Sequence, residues 1–198
     1  MSKKFFQFIK LALAILAFPV LIALTMSFSE ELMRIPEMHE VFLCGIIAYV
    51  FMHLFVFVPE RFFYFVQKIF YDIFQRQPTL YHVVPRVVPF VPTLLLIGLY
   101  ICASIMNVGG VAQIVMFFVG FAWAMHLVMI AQEMHEEDTK KIKAHYYLLM
   151  SGTYVANVLV VALFVDLDFK QFSFLSFLSQ WGVGAKELYL SLQGQLFS

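Results

Sequence analysis

From Leu11 to Phe28 the chain runs for eighteen residues without a charge, interrupted only by Pro19. Four more stretches without Asp, Glu, Lys or Arg follow, at Val41–Val58, Val87–Met106, Val111–Ala131 and Tyr146–Val165. A helix of about 18–20 residues rises about 27–30 Å, the thickness of a bilayer's hydrocarbon layer. In lipid each such segment must satisfy its own backbone hydrogen bonds, which leaves the helix as its conformation. The pattern therefore predicts an all-α integral membrane protein, a bundle of five transmembrane helices.

Composition agrees. Of the 198 residues 62% are hydrophobic and 13% charged, about half the charge of a soluble domain. Thirteen basic and thirteen acidic residues cancel, so no basic patch points to nucleic acid. The first run is long for a signal peptide and no A-x-A site follows it, so it is expected to be a retained span. Cys44 and Cys102 lie inside apolar runs, without zinc or c-type haem spacing.

The connecting segments carry the charge. Ser29–Glu40 reads as a short acidic loop, and Asn107–Gly110 as a tight turn. In Gln132–His145, Glu136 with Lys140 and Glu137 with Lys141 have the i,i+4 spacing of favourable pairs on a solvated helix end. At helical spacing Arg61, Tyr64, Lys68, Asp72 and Gln75 share one stripe, opposite a wide face of Phe62, Phe65, Val66, Ile69, Phe70, Ile73 and Phe74. Such a segment is expected to lie in the membrane interface as an amphipathic helix over 61–75. Pro85, Pro89 and Pro92 lead into the third span. The tail, 166–198, is rich in Phe, contains Trp181 and carries Gly182 and Gly184 as helix breakers. It reads as one or two interfacial helices.

Ten of the thirteen bases lie in Met1–Lys10, Pro59–Arg86 and Gln132–His145. The positive-inside rule then places the N-terminus in the cytoplasm, and five spans place the tail outside.

His53 and His126 each lie five residues before the end of a span that runs inward, so they are expected at similar depth. Two such imidazoles suit a b-type haem or part of a metal site. Hydrogen bonding to a neighbouring helix is the competing account. Asn157 reads as interhelical glue. Glu30, Glu31, Glu37, His39 and Glu40 form either a polar cap or a weak site for a divalent cation. There is no G-x-S-x-G, no glycine-rich phosphate loop and no HExxH.

The run Leu54–Val66, LFVFVPERFFYFV, resembles the approach to the catalytic helix in small bacterial membrane proteins of the site-2-protease type, which are zinc metallopeptidases. Pro85 and Pro89 in a P-x-x-x-P pattern, the segment Gly120–His126 and the span around Asn157 are also similar, so the likeness covers roughly Cys44–Leu163. In that pattern HExxH follows directly, but here the matching positions are Gln67, Lys68, Ile69, Phe70 and Tyr71, which supply neither the two His ligands nor the Glu base. The resemblance implies a degenerate, non-catalytic relative that kept the scaffold.

The expected function is a non-enzymatic subunit of a larger envelope complex in a bacterial inner membrane, without a cofactor, its partners being the lipid bilayer and other membrane subunits. Candidate contact residues are Arg61, Phe62, Phe65, Phe70, Phe74, Pro85, Pro89, Asn157 and Trp181. Two alternatives stand beside it: a redox or metal protein holding haem b at His53 and His126, and a lipid- or quinone-handling protein.

Overall fold

A computed structural model describes residues 3–35, 37–55, 65, 68–69, 72, 88–105, 109–137 and 144–196. Among these are six helices: α1 (Lys3–Leu32), α2 (Met38–Phe55), α3 (Phe90–Ile105), α4 (Gly109–Glu137), α5 (Ala144–Asp168) and α6 (Phe174–Leu196). Four contain segments long and apolar enough to cross a bilayer, at Phe8–Leu32, Met38–Phe55, Val111–Glu136 and Tyr146–Asp168. The all-α expectation holds, and the four segments fit a multi-pass membrane protein.

The element boundaries differ from the sequence reading in instructive ways. The third apolar stretch forms a shorter helix of 16 residues, about 24 Å long. Val88 precedes Pro89, whose ring disfavours helical geometry in the residue before it. The helix begins one residue after that proline, with Thr93 N donating to Pro89 O at 3.0 Å. Asn107 and Val108 lie outside the described residues, while Gly109 and Gly110 already belong to α4. That helix also continues through Gln132–Glu137, which the sequence assigns to a charged loop. Lys140 and Lys141, and with them the expected charge pairs, lie outside the described residues. Likewise α1 absorbs Ser29–Leu32, leaving a short turn in which Glu37 takes a positive φ of 65°.

Directions follow from the contacts. Helices α2 and α4 run parallel, because Glu37 meets Gln113 while Tyr49 meets Phe121 further along both. Their approach is backbone to backbone. A Cβ on Gly45 would stand 2.0 Å from Phe117 O, and one on Gly120 2.1 Å from Phe42 O. Helices α1 and α5 are also parallel, whereas α6 runs antiparallel along α1. Ser176 lies at Glu31, Gly184 at Ala23 and Tyr189 at Leu16.

The main core sits at the end of the bundle where α1 finishes. Phe28 is its hub, with ring centroids 5.9 Å from Phe42, 6.1 Å from Trp123, 6.0 Å from Phe172 and 6.1 Å from Phe177. Edge-to-face pairs of this kind add about 0.5–1.5 kcal/mol each beyond the buried area. A smaller core joins Tyr49 of α2 to Ala124, Met125, Met129, Ile130 and Met134 of α4.

The tail is where the structure departs furthest from expectation. Phe174–Leu196 is one unbroken helix that passes through Gly182 and Gly184. Gly184 faces the small Ala23, with 3.6 Å between a Cβ placed there and the alanine's own. The N-terminus of α6 is capped by Ser173, whose Oγ accepts from Ser176 N at 3.3 Å, and by Asp166, whose Oδ1 accepts from Phe174 N at 3.1 Å. The helix therefore returns along α1 to the end of the bundle where α1 begins. The interfacial helix expected over 61–75 lies outside the described residues, except that Phe65, Lys68, Ile69 and Asp72 are helical and exposed.

Candidate functional site

Helix α6 is held to α1 by side chains from both ends of its length. At one end Glu31 is fully buried. Its Oε1 accepts from Ser176 Oγ at 2.5 Å and Gln180 Nε2 at 2.9 Å, and pairs with the half-exposed Arg34 Nη1 at 2.9 Å. Its Oε2 is buried without a hydrogen-bond partner. A buried carboxylate is tolerated only when paired and hydrogen-bonded, which accounts for the convergence of three donors on one oxygen.

In the middle Trp181 Nε1 donates to Val20 O at 3.0 Å. Further along Tyr189 Oη donates to Leu16 O. These two carbonyls flank Pro19, which lies inside α1. A proline removes one backbone donor and crowds the turn before it. The acceptor left without its donor is Ile15 O, four residues before the proline, and Trp181 and Tyr189 bring second donors to the carbonyls on either side of the proline.

The side of α6 away from α1 is mixed in character: Ser179, Lys186 and Gln193 are exposed there together with Leu175, Val183 and Leu190, and Glu187 is exposed at its edge. Gly184 is level with Ala23, so the antiparallel register places Lys186 and Glu187 about 3–5 Å further on, level with Leu21 and Val20. That is the middle of the charge-free stretch from Leu11 to Phe28.

The other end of the bundle is open. Between α1 and α5 runs a groove of about 1030 Å³, lined by Leu11, Ala14, Ile15, Phe18, Ile22, Met150 and neighbouring side chains, with Leu192 of α6 at its edge.

The two histidines belong to different surroundings. His53 stacks on Tyr49, with centroids 5.8 Å apart and an interplanar angle of 24°, and its buried Nδ1 has no hydrogen-bond partner. His126 is buried, three residues after Trp123 and seven after Val119. The helical period therefore puts it on their stripe, toward the main core. No group of three or more His, Cys, Asp or Glu with metal-binding geometry occurs among the described residues. Of the acidic cluster, Glu31 points into the bundle, Glu37 accepts from Gln113 and His39 pairs with Ser29 at 2.9 Å. Cys44 and Cys102 are free thiols.

Asn157 is fully buried on α5 and donates to Thr153 O of its own helix at 2.9 Å. Pro89 is buried at the start of α3. Arg61, Phe62, Phe70, Phe74 and Pro85 lie outside the described residues, while Phe65 is exposed. Trp181 is therefore the candidate with an explicit hydrogen bond to another helix. Glu31, Gln180 and Tyr189 were missed as contact residues in the sequence. The signal for Gln180 is its four-residue spacing from Ser176 and Gly184 on one face of α6, readable only once α6 is known to be continuous.

The architecture is that of a small all-helical multi-pass membrane bundle in which α6 is strapped to the first helix. No protein-family model, curated protein or solved structure matches the chain.

Proposed function

We propose that this chain is a non-catalytic subunit of a membrane complex, a scaffold that binds another membrane protein through the outward face of α6. The observation that carries the reading is the position of Lys186 and Glu187, exposed on α6 and level with the middle of the apolar stretch of α1. A charged side chain at the centre of a bilayer costs about 2.5–3.5 kcal/mol on insertion scales. That cost disappears when the charge meets a polar partner. A partner helix offering an acid to Lys186 and a base or hydrogen-bond donor to Glu187 has the complementary chemistry. Gln67–Tyr71, standing where the resembled pattern has HExxH, suit a scaffold of this kind, and the same resemblance favours a bacterial inner membrane.

The test is purification of the tagged protein from its native membrane, with a photo-crosslinking residue at position 186 or 187 and a control at Trp181. The reading expects a second membrane protein at stoichiometric level, crosslinked from the outward positions and not from Trp181. A monodisperse chain without crosslinked protein would overturn it. Crosslinking to a second copy of this chain alone would replace it with self-association.

A further inference from the structure

The groove between α1 and α5 can be assigned an occupant of its own, independently of the α6 partner. We propose that it binds a single anionic phospholipid, with hydrocarbon chains along the groove and the headgroup at the end where α1 and α5 begin.

The walls argue for hydrocarbon. The groove extends along α1 from Leu11 to Met26, about 22 Å of helix. Its volume of about 1030 Å³ is at the upper end for small-molecule sites. Both helices that form it carry segments long and apolar enough to cross a bilayer, so lipid chains are the medium it opens to.

The polar groups along the middle of the groove are turned to the protein itself. Thr25 Oγ1 donates to Leu21 O at 2.8 Å, so the 2.8 Å contact between Thr25 Oγ1 and Tyr154 Oη uses the tyrosine's proton. Ser151 Oγ donates to Tyr147 O at 2.8 Å. The hydroxyl protons of Thr25, Tyr154 and Ser151 are thus committed within the protein, which leaves this stretch of the groove apolar to a bound chain.

The charge at one end argues for an anionic headgroup. Because α1 and α5 are parallel, both start at the same end of the groove. There α1 carries Lys3, Lys4 and Lys10 in its first turns, with Lys10 Nζ 5.2 Å above the ring of Phe6. Tyr146 and Tyr147, in the first turn of α5, line the groove further along it. Glu133 and Glu136 lie toward this end too, but on α4, which packs chiefly on α2. Basic residues at a membrane surface favour anionic lipid.

The experiment is native mass spectrometry of the full chain released from nanodiscs containing equal amounts of phosphatidylglycerol and phosphatidylcholine. One retained phosphatidylglycerol per chain is expected, enriched over phosphatidylcholine on the order of tenfold. Replacing Lys3, Lys4 and Lys10 together by Gln should abolish the enrichment while a lipid is still retained. Ala14→Trp, which fills the groove, should abolish retention, provided its helical circular dichroism matches the parent protein. If Ala14→Trp misfolds, the triple Gln variant decides alone, because its substitutions are at the first turns of α1. Equal retention of the two lipids by the parent, no retention, or a copurified quinone in place of phospholipid would each overturn the assignment.

Discussion

Trp181 Nε1 and Val20 O meet at 3.0 Å, one residue beyond the proline that interrupts the backbone ladder of α1. On the other side of Pro19, Tyr189 Oη reaches Leu16 O. Helix α6 thus reinforces α1 where its own hydrogen bonding is weakest. Trp181→Phe and Tyr189→Phe should each lower stability by about 1 kcal/mol, read as an earlier unfolding midpoint in a denaturing-detergent titration. Pro19→Ala supplies a donor to Ile15 O and not to Leu16 O, so the cost of Tyr189→Phe should be the same in that background. A cost that changes would show that the Leu16 carbonyl depends on the proline.

Gly45 and Gly120 set the separation of α2 and α4. A methyl group at either position would collide with a backbone carbonyl, at 2.0 Å from Phe117 O or 2.1 Å from Phe42 O. A carbonyl within a helix cannot step aside as a side-chain end can, so the two helices would have to move apart. Gly45→Ala and Gly120→Ala should each cost about 1–3 kcal/mol or more. Gly98 and Gly152 have nothing within 4 Å of an added Cβ. Alanine there should be neutral or stabilising by up to about 1 kcal/mol. Thermal unfolding in one detergent compares all four variants, and equal behaviour would contradict the close crossing.

The apolar stretches were legible because a charge-free run of lipid length leaves the backbone a single economical conformation. Leu11–Phe28 and Tyr146–Val165 both fall inside helices of the structure. The ends of the helices were less legible. Glu30 and Glu31 look like loop residues, yet α1 continues through them because Ser176 and Gln180 supply donors from 145 and 149 residues away. No local window contains that information. Gly182 and Gly184 look like breaks for a similar reason: an isolated segment gives no hint that Ala23 lies opposite and that a small residue permits the approach. The histidines were correctly found inside apolar helices, but their depth in sequence did not reveal that Trp123 and Tyr49 belong to different cores.

Glu31 should respond to the shape of its replacement more than to the loss of charge. Gln keeps an oxygen that can accept from Ser176 and Gln180, and gives up mainly the pair with Arg34, which is half exposed and contributes modestly. Leu removes the acceptor of the Ser176 hydroxyl, while Gln180 Nε2 keeps its bond to Ser176 Oγ at 3.2 Å, so the cost is about 1–3 kcal/mol. Glu31→Leu should therefore lower the unfolding midpoint clearly more than Glu31→Gln, and Ser176→Ala should fall between them. A Glu31→Leu variant as stable as the parent would mean that the cluster does not hold α6 in place.

The antiparallel course of α6 also makes a prediction about topology. Ser176 lies level with Glu31, Gly184 with Ala23 and Tyr189 with Leu16, and Leu192 shares a groove with Leu11 and Ala14. If α1 crosses the bilayer, the helix strapped along it returns most of the way to the starting side. Reporters fused to the two termini should then signal the same membrane face, where five spans and an interfacial tail would put them on opposite faces. Paired enzymatic or fluorescent fusions, each active on only one face, distinguish the two arrangements. Single cysteines at Lys186 and Glu187 refine the result. Both should resist a membrane-impermeant maleimide in intact membranes and react after solubilisation, because their level on α1 is the middle of its charge-free stretch. Full labelling in intact membranes would place α6 outside the bilayer and remove the physical basis for a partner at mid-depth.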